Sequence, residues 1–368
     1  GVIMNLVFLI LFFLLQDSDS TTIAVRAGKV QTVSNGEILL GTVHVRGEKI
    51  LRVTEGGGSL EKIPLLEFGA DSVMVPGFID AHSYLGSSLD VEEFTEAITP
   101  QVHALDAFSS QGEGIQDALK SGVTLVSIAP GPGNLISGRT GLLRLTGTRF
   151  DRMIYRNPYG MKFGLTNWVL RRDRKPTSAS GALRLLRENL RGEIGRSIKE
   201  NRIPVFLDAS SVRQIQVALS LQKEFDLDAV LLHADSGARV VPAIKESGMA
   251  VILSPLGISD SIEYLSTPAK FAEAGVPFAF ASDSPLTGES YLRLSATLSM
   301  RYGLSREKAL RALTLSAAEI LGVSKEVGSL EMGKLADLVV FDGDPLDLSS
   351  DILLVMVGGK VVYQRDRK

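Results

Sequence analysis

The 368 residues contain only four histidines, and two of them, His82 and His233, close apolar runs of the kind that form β-strands. Two aspartates are placed alike: Asp208 follows Pro204-Val205-Phe206-Leu207, and Asp283 follows Ala279-Phe280-Ala281-Ser282. Pro130-Gly131 and Ser254-Pro255 end two further runs. Imidazoles and carboxylates gathered at one rim can pass protons or hold a divalent ion. They can also satisfy one another, His82 facing Asp283 and His233 facing Asp208, as buried polar groups must. The absence of cysteine excludes disulfides, thiolate metal sites and cysteine nucleophiles.

The elements that position these groups alternate along the middle of the chain. Val73–Ile79, Val123–Ala129, Ile203–Leu207, Ala229–Leu232, Met249–Leu253 and Val276–Ala281 are apolar on successive residues, as strands covered on both faces are. Leu142–Leu145 and Met161–Leu165 are weaker runs of the same kind. Amphipathic stretches such as Val212–Phe225, Ala238–Glu246 and Arg306–Leu321 separate them. The pattern predicts α/β architecture with parallel strands and crossover helices, and eight such strands would close a (β/α)8 TIM barrel. Barrel enzymes carry their chemistry at the C-terminal strand ends, where the polar residues above collect.

Both ends of the chain read differently. Ile23–Val30, Gly41–Val45 and Ile50–Val53, and far away Ala336–Phe341 and Val355–Tyr363, are short alternating strands joined by glycine turns. They predict one small β-sandwich built from both ends, with residues 21–72 and 328–368 flanking a barrel over 73–327.

Two motifs carry a resemblance. Pro76-Gly77-Phe78-Ile79-Asp80-Ala81-His82 and Gly328-Ser329-Leu330-x-x-Gly333-Lys334-x-Ala336-Asp337-Leu338-Val339 resemble the opening and closing signatures of the amidohydrolase superfamily, metal-dependent hydrolases of C–N and related bonds. Thr99-Pro100-Gln101-Val102, Gly131-x-Gly133-Asn134-x-Ile136-x-Gly138 and Gly160-Met161-Lys162 point to its imidazolonepropionase-like group. The resemblance covers nearly the whole chain after residue 20.

It implies that His82, His233 and Asp283 occupy metal-ligand positions, with Asp283 also the proton acceptor and His233 able to steady an oxyanion. The metal site is altered elsewhere. Tyr84 stands where the family has the second histidine of a His-x-His pair, and Asp208 replaces a fifth-strand histidine. The resemblance therefore implies one Zn²⁺ or similar ion, or none, with Asp208 as a further oxygen ligand. Lys162 is a candidate for a carboxylated lysine. Tyr84 is a candidate to bond a substrate oxygen, Asn134 lies in a glycine-rich turn suited to an anion, and His103 follows the first strand. His44 reads as an ordinary strand residue and Trp168, the only tryptophan, as packed.

The implied activity is hydrolysis of an amide, cyclic amide or peptide-like bond. The competing reading is an inactive relative that binds a small molecule or acts structurally. A net charge of −3 argues against nucleic acid as partner; the resemblance implies a small-molecule substrate or ligand and allows a homo-oligomer. Val2–Leu15 is apolar apart from Asn5, then turns polar at Gln16-Asp17-Ser18-Asp19-Ser20. The run is shorter than a membrane span and reads as a signal peptide ending near residue 20, although no basic residue precedes Arg26. An exported protein, or one anchored to a membrane through this segment, is the expectation.

Overall fold

A computed structural model describes residues 22–56, 63–87, 91–112, 114–147 and 149–366. The apolar run expected to direct export lies outside the described residues. No described helix is long and apolar enough to cross a membrane.

The middle of the chain forms a parallel series. Met161–Gly164, Val205–Ala209, Ala229–His233, Ala250–Leu253 and Phe278–Phe280 pair in that order. Phe78–Ser83 pairs in parallel with Val123–Ile128. Backbone bonds from Tyr84 N to Ser284 O (2.8 Å) and from Asp283 N to His82 O (3.3 Å) link the last of these strands to the first.

The remaining neighbours depart from expectation. Leu142–Leu145 is predicted as one more parallel strand, yet Gly141–Arg144 runs antiparallel to Val123–Ile128, and Ile136–Arg139 antiparallel to Met161–Gly164. The cause is length. A parallel return needs a crossover of roughly a dozen residues or more, and the short stretch from Ile128 to Ile136 provides none.

Strand alternation sorts the core into two layers. Ile79, Ala81, Leu125, Phe206, Val230, Leu232, Ile252, Ala279 and Ala281 form one buried cluster. Their sequence neighbours Phe78, Val126, Val205, Leu207, Leu231, Val251, Leu253, Phe278 and Phe280 join another with Ile215, Ala218, Leu221, Ile244 and Phe271 from the helices. Opposite faces of each strand are therefore apolar, which is why the sequence shows unbroken runs.

The helices follow their local signals. Val212–Phe225 forms as predicted, opened by a capping box between Ser211 and Gln214. The stretch Ala238–Glu246 begins as a 3₁₀ turn, Gly237–Arg239, and becomes α-helical over Val241–Ser247, where Pro242 suits the first turn. Arg306–Leu321 is divided at Thr314 into Arg306–Leu313 and Leu315–Ile320.

The predicted strand Val73–Ile79 is two strands. Val73–Pro76 pairs with Leu338–Phe341 in a six-stranded sheet, and Phe78–Ser83 begins the central series. Gly77 is the pivot: a Cβ there would lie 2.1 Å from Thr124 Oγ1, so only glycine fits. A four-stranded sheet holds Lys49–Thr54, Thr42–Arg46, Thr22–Arg26 and Leu65–Glu67. Its Val25, Val43, Val45 and Ile50 share a core with Met74, Leu338, Val340, Leu354 and Met356 of the other sheet. N- and C-terminal strands thus pack together, bridged also by the bond from Ile50 N to Lys334 O at 2.8 Å.

One buried ion pair ties these end sheets to the centre. Arg144 donates to Asp337 through Nη2 (2.6 Å) and Nε (3.1 Å), and Asp337 also accepts from Gly358 N at 2.7 Å. Arg144→Ala should destabilise the fold by about 3–5 kcal/mol, because it leaves a buried carboxylate without its partner. Glu48→Gln, at the exposed edge of the same arginine, should change stability by less than about 1 kcal/mol. Urea unfolding of the two variants checks the contrast; equal effects would contradict it.

Candidate active site

The strand ends bring His82, Asp208, His233 and Asp283 together, and the sequence-predicted pairings are both present. His82 Nδ1 lies 2.7 Å from Asp283 Oδ1, and His233 Nδ1 lies 2.8 Å from Asp208 Oδ1. His233 Nε2 lies 3.4 Å from Asp283 Oδ2, which joins the two pairs. The two imidazoles meet edge to face at 5.2 Å.

Backbone distortion makes this meeting possible. Leu231 faces the helices and Leu232 the inner cluster, and the next residue, His233, takes φ 70° with Ala234 at 45°. Asp283 takes φ 50°. Each non-glycine residue held in this region costs about 1–2 kcal/mol, and such strain persists only where surrounding contacts over-determine it. Along Phe78–Ser83 the pairing register shifts between Asp80 and Ser83, an irregularity of the kind that re-aims a side chain, here at His82.

Lys162 is at the centre. It is fully buried, and its Nζ donates to Tyr84 Oη (3.0 Å), Pro130 O (3.1 Å) and His82 Nε2 (3.2 Å), with Asp208 Oδ2 3.7 Å away. An ammonium has no lone pair, so His82 must accept through Nε2 and carry its proton on Nδ1, donating to Asp283. In the metal-free protein these contacts are those of an unmodified ammonium: a carbonyl, a phenol oxygen and an imidazole nitrogen accept from it, with a carboxylate nearby.

The charge states follow. Burial, then the Lys162 ammonium, pulls the His82 pKa down to about 4 against the opposing Asp283 carboxylate. Burial also works against charge on His233, but Asp208 and Asp283 outweigh it and hold that imidazole well above its ordinary value. Both carboxylates resist burial in turn and are held below the usual range, chiefly by His233. Lys162 keeps its proton because Tyr84 and Asp208 overcome its desolvation. Two cations face two anions, with His82 and Tyr84 neutral.

Asp80, outside the sequence-predicted set, lies beneath. It accepts from Ser282 N (2.9 Å) and Ser282 Oγ, and burial pushes its pKa up to about 7 despite those bonds. The sequence signal for it is its place in the Pro76–His82 motif, two residues before His82.

The other predicted residues are placed as follows. Asp208 stands behind His233 rather than beside Asp283. Tyr84 is buried against Lys162, and its Oη is an acceptor there. Asn134 has its side chain engaged by Glu93 O (2.6 Å), Thr99 Oγ1 (3.2 Å) and Arg174 Nη2 (2.6 Å). His103 bridges to Arg139 at the start of a 3₁₀ turn. His44 lies in the strand Thr42–Arg46, 3.3 Å from Thr54 Oγ1. Trp168 is not packed; it is 73% exposed in the 3₁₀ turn Asn167–Val169 that follows Met161–Gly164. A cleft of about 1000 Å³ between the end sheets touches none of the polar cluster.

The donor chemistry suits one divalent ion. Ligand atoms of His82, His233 and Asp283 lie within 4.8 Å of one another, and two imidazoles plus a carboxylate are a recurrent catalytic zinc set. Asp208 holds Nδ1 of His233, as carboxylates commonly do for a metal-bound histidine, leaving Nε2 toward Asp283.

A family model and several known proteins are similar to this chain. Residues 228–362 match the amidohydrolase family model. The solved amidohydrolase of Thermotoga maritima MSB8 superimposes with a TM-score of 0.87 at 27% identity, covering 93% of this chain and all of that one. The imidazolonepropionase of Picrophilus torridus is 24% identical, covering 75% of this chain and 80% of its own length. The amidohydrolase tasK of Hapsidospora irregularis is 23% identical over 82% of this chain, which spans only 38% of tasK's length.

In the metal-free protein, His233 should be an imidazolium at pH 7 and His82 neutral with its proton on Nδ1, which imidazole ¹⁵N shifts report. The signs oppose. A raised folded pKa makes the His233 contribution complete below about pH 6.5 and lost as pH rises through its folded value. A lowered one makes that of His82 complete above about 6.5 and lost as pH falls toward 4. Their joint contribution should peak near pH 6.5 in urea titrations. Asp208→Asn should move the alkaline loss to lower pH; an unchanged alkaline limb would contradict the assignment.

Proposed function

We propose that this chain, which belongs to the amidohydrolase superfamily, hydrolyses a C–N bond of a small molecule, an amide, cyclic amide or peptide-like link, with at most one divalent ion. The reading rests above all on the meeting of His82, His233 and Asp283 at the strand ends. We read the central strands as a (β/α)8-type barrel in which Ile136–Arg139 and Gly141–Arg144 run antiparallel to their neighbours, and the two end sheets as an accompanying β-sandwich.

His82, His233 and Asp283 would hold the ion, which when bound polarises a carbonyl and acidifies a water. The chain's own groups supply the proton movements. Asp283, kept ionised by its neighbours, accepts a proton from water on a carboxylate oxygen and returns it to the leaving nitrogen. Asp208 holds the Nδ1 proton of His233, which directs the Nε2 lone pair toward the ion and Asp283. In the metal-free protein Lys162 keeps the His82 proton on Nδ1, toward Asp283; serving as a ligand through Nδ1 would require His82 to release that proton. Solvent reaches the cluster at His233 and Asp283, whose side chains are 14% and 15% exposed, whereas His82 is sealed.

A second reading has its own observation. The cluster satisfies itself through hydrogen bonds and ion pairs, as a retained binding or structural site would.

Asp283→Asn separates the two. For a hydrolase it should lower turnover on a responsive amide, cyclic amide or dipeptide by about 10²–10⁴-fold, assayed with Zn²⁺ or Mn²⁺, while the protein stays folded. Turnover at the parent rate would refute the assigned role. His82→Ala should abolish metal retention measured by plasma mass spectrometry.

A further inference from the structure

We infer that Lys162 is a resident cation: its ammonium fills a position built for positive charge and thereby limits how many metal ions the site accepts. The inference goes beyond the hydrolase reading and does not depend on activity. Four lone-pair atoms from three different strand ends surround one point. They are Tyr84 Oη, Pro130 O, His82 Nε2 and Asp208 Oδ2, at 3.0, 3.1, 3.2 and 3.7 Å from Nζ. An ammonium has three N–H groups, and the first three acceptors use them all. The fourth contributes charge without a hydrogen bond.

An imidazole nitrogen, a phenol oxygen, a carboxylate and a carbonyl converging in this way are the ligand types of a metal site. Here a lysine on the strand Met161–Gly164 reaches into the same space. The Tyr84 ring adds its face at 5.1 Å from Nζ. Tyr84 and Asp208 are also the two positions where the chain departs from histidine. Both present oxygen acceptors to the ammonium, which an imidazole carrying its proton on the facing nitrogen could not.

A divalent ion entering beside His82 Nε2 would meet this fixed positive charge at contact range. On the other side the positive charge facing Asp283 is the His233 imidazolium, which becomes a ligand by releasing one proton from Nε2, whereas the Lys162 ammonium stays in the place an ion would take. The geometry therefore divides the cluster into a half that already holds its cation and a half able to take one.

The test is zinc stoichiometry by equilibrium dialysis and plasma mass spectrometry on the full chain and on Lys162→Ala. The variant should bind one ion more than the parent, and Lys162→Ala with Tyr84→Phe should bind that added ion at least tenfold more weakly. Parent protein that takes two ions with Lys162 in place would overturn the inference, as would a folded Lys162→Ala with no added ion. If Lys162→Ala folds poorly, its refolding yield should rise severalfold in Zn²⁺ over chelator, and Lys162→Met, which fills the space without charge, should show no rise. Equal yields in Zn²⁺ and chelator for Lys162→Ala would count against the inference. The parent's absolute metal content tests the one-ion reading separately from the difference between parent and variant.

Discussion

A fully buried ammonium is the constraint from which this site is organised. Desolvating a charge is costly enough that the surroundings must supply compensation or the group loses its proton. Around Lys162 the compensation comes from several elements at once: a carbonyl after Val123–Ile128, a phenol after Phe78–Ser83, a carboxylate on Val205–Ala209 and an imidazole lone pair. Because the lysine can only donate, His82 loses its choice of tautomer, and its other nitrogen must point a proton at Asp283. Asp283 then faces His233, and His233 is fixed from behind by Asp208, which also faces the ammonium. The cluster is a closed circuit of charges in which each member's state follows from its neighbours.

That circuit requires strand ends that do not behave as ordinary strand. Regular alternation would send His233 toward the helices with Leu231, and positive φ at His233 and Ala234 prevents this. Asp283 is held at positive φ while its backbone N–H bonds His82 O, so one turn both aims a carboxylate and joins the last parallel strand to the first. The strain is local and is countered by apolar burial on both faces of the same strands.

Much of this is legible in the sequence, for identifiable reasons. Apolar runs ending in His82, Asp208, His233 and Asp283 are visible because strands covered on both faces tolerate polar residues only at their ends. The pairing of those residues follows from the need to satisfy buried groups. Other features rest on contacts between distant segments. Lys162 stands between Met161 and Phe163, and nothing adjacent says that its amine is sealed from water. Gly77 divides one apolar run between two sheets because Thr124 presses against it, forty-odd residues away. The antiparallel turn of Gly141–Arg144 is foreshadowed only by a connection too short for a crossover helix. Arg144 and Asp337 meet across nearly two hundred residues, beyond any local pattern.

Tyr84 and Asp208 look, in the sequence alone, like two independent losses of histidine. In the fold they are coupled, since both present oxygen to the same ammonium. A change at either position alone would leave Lys162 short of an acceptor or of an anion, and removing the lysine would leave three acceptors and a carboxylate facing one another. Changing one of these groups alone is costly, because unpaired buried charge costs more than any one of these bonds provides. The altered half of the site is therefore better described as one exchange, a cation carried on the chain for the place a bound one would take. The other half, where His233 and Asp283 still reach solvent, is where chemistry remains open to this protein.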